Sequence, residues 1–195
     1  MKIVLQRVSR ASVAVGGKTM GSIGRGYVAL LGFGERDGDG PSGEGGRDGH
    51  SLNGEGERDG GGPSGEGERE GLCPSGDGRD VSLSDGAKAK IEKMVAKIQK
   101  LRIFPDENGK TNLSINDVGG GLLVISQFTL FADCRKGNRP SFIGAAHPSL
   151  AESLYDYFVD CAKGKFSEVA HGVFGAYMQV DLVNDGPFTV ILEDG

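Results

Sequence analysis

The chain has 195 residues, 37% of them hydrophobic, and a formal net charge of −5. No apolar run approaches the ~18–20 residues of a membrane helix, and three cysteines at wide spacings without CxxC exclude a disulfide framework. The acidity alone argues against a nucleic-acid partner, but it is local: residues 34–80 carry 13 Asp/Glu against 5 Arg, net −8, which leaves 17 basic and 14 acidic residues, net +3, elsewhere. That remainder is long enough for a proper core and is permissive for RNA.

KIVLQRV (2–8) reads as a strand, and ASVAV (11–15) and Met20–Ile23 read as two short strands around the hairpin signal Gly-Gly-Lys. GYVALLGF (26–33) is a continuous apolar run and predicts a central strand. There the pattern stops. GERDG at 34 returns as GGRDG at 45, GERDG at 56 and GEREG at 67, with PSG at 41, 63 and 74, an 11-residue period. A solenoid repeat needs apolar residues to stack. Residues 34–80 hold 17 of the 35 glycines, and their aliphatic residues are Leu52 and Leu72 alone. Residues 35–83 are therefore expected to be a disordered, acidic, Gly-rich insertion in a single domain spanning 1–195. A phosphate-binding loop is not expected there, because GxxxxGK[ST] is missing and the charge is wrong.

Helical spacing resumes near Ser84. Ile91, Met94, Val95, Ile98 and Leu101 form one apolar stripe, and Lys93, Lys97 and Lys100 lie opposite as a solvated face or a contact for a nucleic-acid backbone. A turn is predicted at Glu107, Asn108 and Gly109. LLVISQFTLFA (122–132) then predicts a buried strand with Ser126, Gln127 and Thr129 in its middle. Strand alternation places Gln127 and Thr129 on the face of Ile125 and Phe131. A buried amide or hydroxyl without a partner costs about 1–3 kcal/mol, so this face is expected to meet a solvated site or a hydrogen-bond network. A loop with Cys134, Arg135, Lys136, Arg139 and Pro140 follows. A second helix begins near Pro148, with Leu150, Leu154, Tyr157, Phe158 and Cys161 as its stripe. Tyr177 to Val183 is a strand, NDGP (184–187) breaks it, and FTVIL (188–192) is the last strand. Strands and two helices in mixed order indicate an α+β fold.

His50, His147 and His171 are scattered, with no HExxH or Cys/His cluster, so no metal site is expected. Ser126 and Thr129 are candidate nucleophiles, but neither lies in a GxSxG elbow. A hydroxyl nucleophile needs a base within hydrogen-bond reach, and a Ser/His/Asp triad stays open. In NDGPFT the bland reading is a turn. The sharper one is a cis Gly186–Pro187 bond whose fixed carbonyls hold an ammonium group.

QRVSRASV (6–13), SQFTL (126–130), GNRPSF (137–142) and VNDGPFT (183–189) together resemble the D-aminoacyl-tRNA deacylase (D-tyrosyl-tRNA deacylase) family. The resemblance covers 1–34 and 84–192. It implies a compact, barrel-like α+β subunit with a mixed or antiparallel sheet and two main helices, acting as a cytoplasmic homodimer with no cofactor, metal or membrane. It implies that aminoacyl-tRNA is bound at its acceptor 3′ end and that the D-aminoacyl ester is hydrolysed. The Gly186–Pro187 motif, cis, would enter the partner subunit's site, capture the α-ammonium and exclude an L side chain. Glycyl-tRNA would then be accepted. Arg7 would fix this loop and, with Thr189, complete the substrate-binding residues. The catalytic side would be Ser126, Gln127, Phe128 and Thr129. Thr129 would position, Gln127 would hold the adenosine or the ester end, and main-chain N–H groups near Phe128 and Thr129 would stabilise the oxyanion. The ribose 2′-OH would help activate water. Phe188 departs from the family's usual Val, and the insertion replaces a short loop. Two other readings are a non-catalytic tRNA- or nucleic-acid-binding module and a Ser/Thr esterase of small esters.

Overall fold

The computed structural model describes residues 1–39 and 82–194. Its first strand is also its organiser. β1 (Lys2–Val15) takes in both KIVLQRV and ASVAV, and turns at Gly16 and Gly17 (φ 56° and 78°) into β2 (Lys18–Ile23). Both glycines adopt the left-handed conformation that a two-residue hairpin loop requires. β3 (Gly26–Gly32) then runs back along the first half of β1, with Leu31 opposite Ile3 and Gly26 opposite Val8.

The remaining elements are α1 (Asp85–Lys100), β4 (Phe104–Pro105), β5 (Thr111–Leu113), β6 (Gly121–Ser126), α2 (Pro148–Lys163), β7 (Val169–His171) and β8 (Met178–Glu193). The main sheet runs β2-β1-β3-β6-β7, and β8 pairs with the other edge of β1. β3, β6 and β7 are parallel neighbours, and the other pairs in this sheet are antiparallel. The ends of the path, β2 and β7, curl toward each other. A Cβ on Gly21 would sit 3.0 Å from the Ala170 Cβ, so the sheet is a nearly closed barrel.

Strand alternation sorts the core into two clusters. Tyr27, Ala29 and Leu31 of β3 and Leu122 and Val124 of β6 face the helices, where they meet Ile91, Val95, Ile98, Leu154 and Phe158. Val28, Leu123 and Ile125 face the other way, and Val8, Ala11, Val13 and Ile23 of the curled β1–β2 half close over them. Each helix buries one stripe. In α2 it is Ala151, Leu154, Tyr155, Phe158, Val159 and Ala162; of the expected stripe Leu154 and Phe158 are buried, whereas Leu150, Tyr157 and Cys161 are half-buried at its edge. In α1 the buried residues are Ala87, Ile91, Met94, Val95 and Ile98, and Lys93, Lys97 and Lys100 are exposed.

Three expectations change. The strand predicted over 122–132 ends at Ser126, and Phe128–Phe131 form a 3-10 turn instead. The partner strand explains this. Gln127 N still donates to Leu31 O at 2.7 Å, but β3 ends at Gly32, and with no partner the chain curls through Leu130 N to Gln127 O and Ala132 N to Thr129 O. Second, β8 continues through NDGP as one strand, because β1 spans it on both sides of the break. Third, β4, β5 and β7 are not foreseen, since two or three residues carry little pattern.

The stretch read as an insertion is described at its two ends alone. Glu35–Gly38 form a 3-10 turn, Leu83 packs against the helix-side core, and residues 40–81 lie outside the described residues. Of the cysteines, Cys134 and Cys161 are free thiols. Cys73 and His50 lie outside the described residues. Among those described, no cluster of His, Cys, Asp and Glu is arranged to hold a metal ion, and no helix is long and apolar enough to cross a membrane.

Candidate functional site

The predicted site residues fall into two groups. The first sits at the carboxyl end of β6. Ser126 is the last residue of that strand and Gln127 is the half-buried residue leading into the turn. Phe128 and Thr129 open the turn and are exposed. Gln127 Nε2 donates to Thr129 Oγ1 at 2.6 Å. The two polar side chains therefore do meet, through the curl of the turn and not through strand alternation. Close packing makes the curl possible: a Cβ on Gly34 would lie 2.6 Å from Phe131 Cε1, so only glycine lets the ring of the turn settle against the end of β3. No hydrogen bond to a His or carboxylate reaches Ser126 or Thr129 among the described residues, so no triad forms around either hydroxyl.

The second group surrounds the Gly-Pro motif. Between Gln6 and Val8 on β1 there is one residue, Arg7, whereas between their partners Thr189 and Asn184 there are four. The excess, 185–188, is pushed out of the sheet as a bulged loop. Its Gly186–Pro187 peptide bond is cis. Arg7 lies directly beneath. It is 8% exposed and is the one charged residue counted as buried among those described. Buried charges persist when they are paired and hydrogen-bonded. Here Nε donates to Asp185 O at 3.1 Å and lies 3.1 Å from Asp185 Oδ2, and Nη1 donates to Ile103 O at 2.5 Å. The guanidinium carbon also stands 5.0 Å from the centre of the Phe188 ring. Phe188 thus packs on the arginine that fastens the loop. A Cβ on Gly186 would meet Arg7 Nη2 at 3.0 Å, and its φ of 131° favours glycine independently.

Sequence reasoning missed Asn184. Its Oδ1 accepts the Phe188 N–H at 3.0 Å and its Nδ2 donates to Thr189 Oγ1 at 3.2 Å, so it closes the base of the loop. The habit of Asn to bond nearby backbone in turns was the available signal.

The groups do not join within one chain. The polar turn lies alongside the Leu31–Ile3 row, and the Gly-Pro loop lies at Arg7, four residues farther along β1, or about 13 Å. Among the described residues no hydrogen bond, ion pair or ring contact links them.

A nearly closed α+β barrel with a polar turn after a parallel strand and a cis Gly-Pro bulge on its outer strand defines the class of protein. Residues 4–42 and 81–193 match the family model described as D-Tyr-tRNA(Tyr) deacylase, and the chain belongs to that family of hydrolases. It is 42% identical over 193 residues to the D-aminoacyl-tRNA deacylase of Syntrophobacter fumaroxidans, covering 99% of this chain and 97% of that protein. The D-aminoacyl-tRNA deacylase of Thermosipho africanus is 39% identical with the same coverage. Among solved structures, one described as c-Myc DNA Unwinding Element Binding Protein superposes with a TM-score of 0.69 at 33% identity, over 100% of this chain and 99% of that one. A probable eukaryotic D-amino acid tRNA deacylase shares the fold, with a TM-score of 0.65 at 14% identity, over 98% of this chain and 97% of that one.

Proposed function

We propose that the protein hydrolyses the ester between a D-amino acid, or glycine, and the 3′-terminal adenosine of tRNA. Water adds to the carbonyl carbon, the bond to the ribose oxygen breaks, and that oxygen takes the proton. The observation that carries this reading is the Gly186–Pro187 loop fastened by buried Arg7, in a chain belonging to this family. In this reading the carbonyls of the loop hold the α-ammonium and their closeness excludes an L side chain. Thr129 and Gln127 position the ester and adenosine. The N–H groups of Phe128 and Thr129 serve the oxyanion, because the first N–H groups of a helical turn lack an acceptor within it. The tRNA's own 2′-OH helps activate water, consistent with Ser126 and Thr129 hydroxyls that have no base hydrogen-bonded to them among the described residues.

The reading includes a homodimer in which the Gly-Pro loop of one chain completes the polar turn of the other. Two observations support it. The two groups lie apart on one chain, and among the described residues β8 pairs with β1 alone and exposes Val180, Val183 and Ile191. Residues 35–83 are read as an acidic insertion that contributes no group to the site. The relation to a DNA-unwinding-element-binding protein favours a second reading, a nucleic-acid-binding module without turnover.

Turnover separates the readings. The expected result is cleavage of D-Tyr-tRNA, sparing of L-Tyr-tRNA, partial activity in Thr129→Ala, and loss of activity on tRNA lacking the terminal 2′-OH. Abolition by Thr129→Ala with the 2′-OH dispensable would establish a conventional hydroxyl esterase instead. No cleavage of either ester at protein concentrations well above the tRNA would leave the binding module.

A further inference from the structure

Beside the polar turn, three apolar side chains stand in solvent. Phe128 is 58% exposed, Phe142 39% and Ile143 83%. The Phe128 and Phe142 rings meet edge to face with centroids 5.1 Å apart. Phe131, at the other end of the turn, lies beneath Lys2 instead, with the ammonium 5.2 Å from its centroid. The chain between the turn and Phe142 is pinned at its base, where Asp133 N donates to Ser141 O at 2.7 Å and Ser141 N donates to Asp133 O at 3.0 Å. Residues 134–140 project from that bridge and are exposed. Arg135 is neutralised locally: its Nε and Nη2 lie 2.9 and 2.7 Å from the two Asp133 carboxylate oxygens. These bonds hold the Asp133 carboxyl down at about 2. Lys136 and Arg139 have no carboxylate partner among the described residues. The aromatic pair thus adjoins Thr129 through Phe128, and two uncompensated cations stand on the loop that leads to Phe142, where residues 133–141 carry a net charge of +2 in a chain of net charge −5.

We propose that Phe128 and Phe142, with Lys136 and Arg139, form a shelf for the single-stranded 3′ end of the RNA, taking a base upstream of the terminal adenosine on the rings and its phosphates on the cations. The inference rests on the deacylase reading and names the part of the substrate that the polar turn and Gly-Pro loop leave unheld. Unpaired bases stack on exposed aromatic side chains with little regard to sequence, and basic side chains beside them follow the backbone. In the proposed dimer the Gly-Pro loop of a second copy reaches this turn, but the one carboxylate of that loop, Asp185, is paired with Arg7, so Lys136 and Arg139 are left for an anion from outside the protein. Outside residues 40–81 the chain has a net charge of +1, so a copy offers no excess of anions there comparable to an RNA backbone.

The test compares kcat/KM for D-Tyr-tRNA and for D-tyrosyl-adenosine in the full chain, in Phe142→Ala and in Lys136→Ala/Arg139→Ala. For each variant we expect about a tenfold loss on the tRNA ester, mostly in KM, and a loss at least fivefold smaller on the adenosine ester. The double variant should also lower the salt dependence of log(kcat/KM) on tRNA by about 1.4, at roughly 0.7 per phosphate contact on a single strand. Equal losses on both substrates overturn the shelf, since the variants then disturb the turn itself. No loss on either overturns it too, as does a change of oligomeric mass in Phe142→Ala, which assigns the rings to a contact between copies. The double variant changes surface side chains alone and keeps the test open should Phe142→Ala fold poorly. If the wild type cleaves neither ester, the deacylase reading fails separately. The shelf is then judged by titrating a single-stranded RNA 12-mer ending in CCA, and equal affinity for wild type and double variant overturns it.

Discussion

Asn184 holds both ends of the bulge that carries Gly186 and Pro187. Through Oδ1 it satisfies the Phe188 N–H, and through Nδ2 it reaches Thr189 Oγ1. It is assigned no contact with substrate of its own and acts through Phe188 and Thr189, so its role is positioning. A hydrogen bond of this kind contributes about 1 kcal/mol, enough to let the loop stray. Asn184→Ala is expected to lower kcat/KM on D-Tyr-tRNA by about five- to tenfold, with a fall in Tm of about 2–4 °C. Asn184→Asp keeps an acceptor for Phe188 N and should recover most of the loss. A fall in Tm without loss of activity in Asn184→Ala would make the residue structural only. Arg7 acts on the same loop from below, with Phe188 stacked on its guanidinium.

At the scale of elements, helix α1 begins where the chain returns from the region that is not described. Ser84 is its N-cap: Oγ accepts the Ala87 N–H at 3.1 Å and donates its own proton to Gly38 O at 2.8 Å. Lys90 Nζ adds a bond to Asp39 O at 3.1 Å. One serine therefore starts the helix and ties it to the turn that follows β3. Loss of such a cap costs about 1 kcal/mol, so Ser84→Ala should lower Tm by about 2–4 °C for a domain of this size. Ser84→Asp caps as well and adds a charge that suits the helix N-terminus, so it should restore Tm. An unchanged Tm in Ser84→Ala would show that packing alone sets the start of α1. Farther along, α1 and α2 are joined by the Tyr157 hydroxyl, which donates to Glu92 Oε1 at 2.6 Å and is thereby held above its usual pKa.

For the whole molecule, the contact of Ser84 with Gly38 brings the chain on either side of 40–81 to one place. The proposed insertion can then be removed without stretching the fold. Residues 40–81 carry 10 Asp/Glu and 4 Arg, so joining Asp39 to Ser82 changes the net charge from −5 to +1. Shortening a connection from 42 residues to a few changes the loop-closure entropy by up to about 2 kcal/mol where the longer one is unstructured. The shortened chain is expected to keep its fold, melt slightly higher and bind tRNA more tightly at low salt, where charge is least screened. The difference in affinity should shrink above about 0.5 M salt. Unfolding of the shortened chain in circular dichroism would show that 40–81 supports the barrel.

Much of this was legible in the residues. The helical spacings, the apolar run of β3, the start of β6 and the Gly-Gly hairpin are local signals, and these elements formed where they were expected. SQFTL and NDGPFT could be read because they are contiguous. Whether a run stays extended is another matter, because a strand exists only while it has a neighbour. LLVISQFTLFA stops being a strand where β3 runs out, and β8 passes through a proline because β1 pairs with it on both sides. Gln127 and Thr129 meet for the first reason, and Arg7 finds Asp185 and Phe188 for the second. The amino-acid sequence by itself determined the two helices, the hairpin, the central strand and the family, whereas only the tertiary structure decided where β6 stops, that β8 runs on and how the site residues are grouped, since pairing between distant strands sets which segments stay extended and which side chains come into reach.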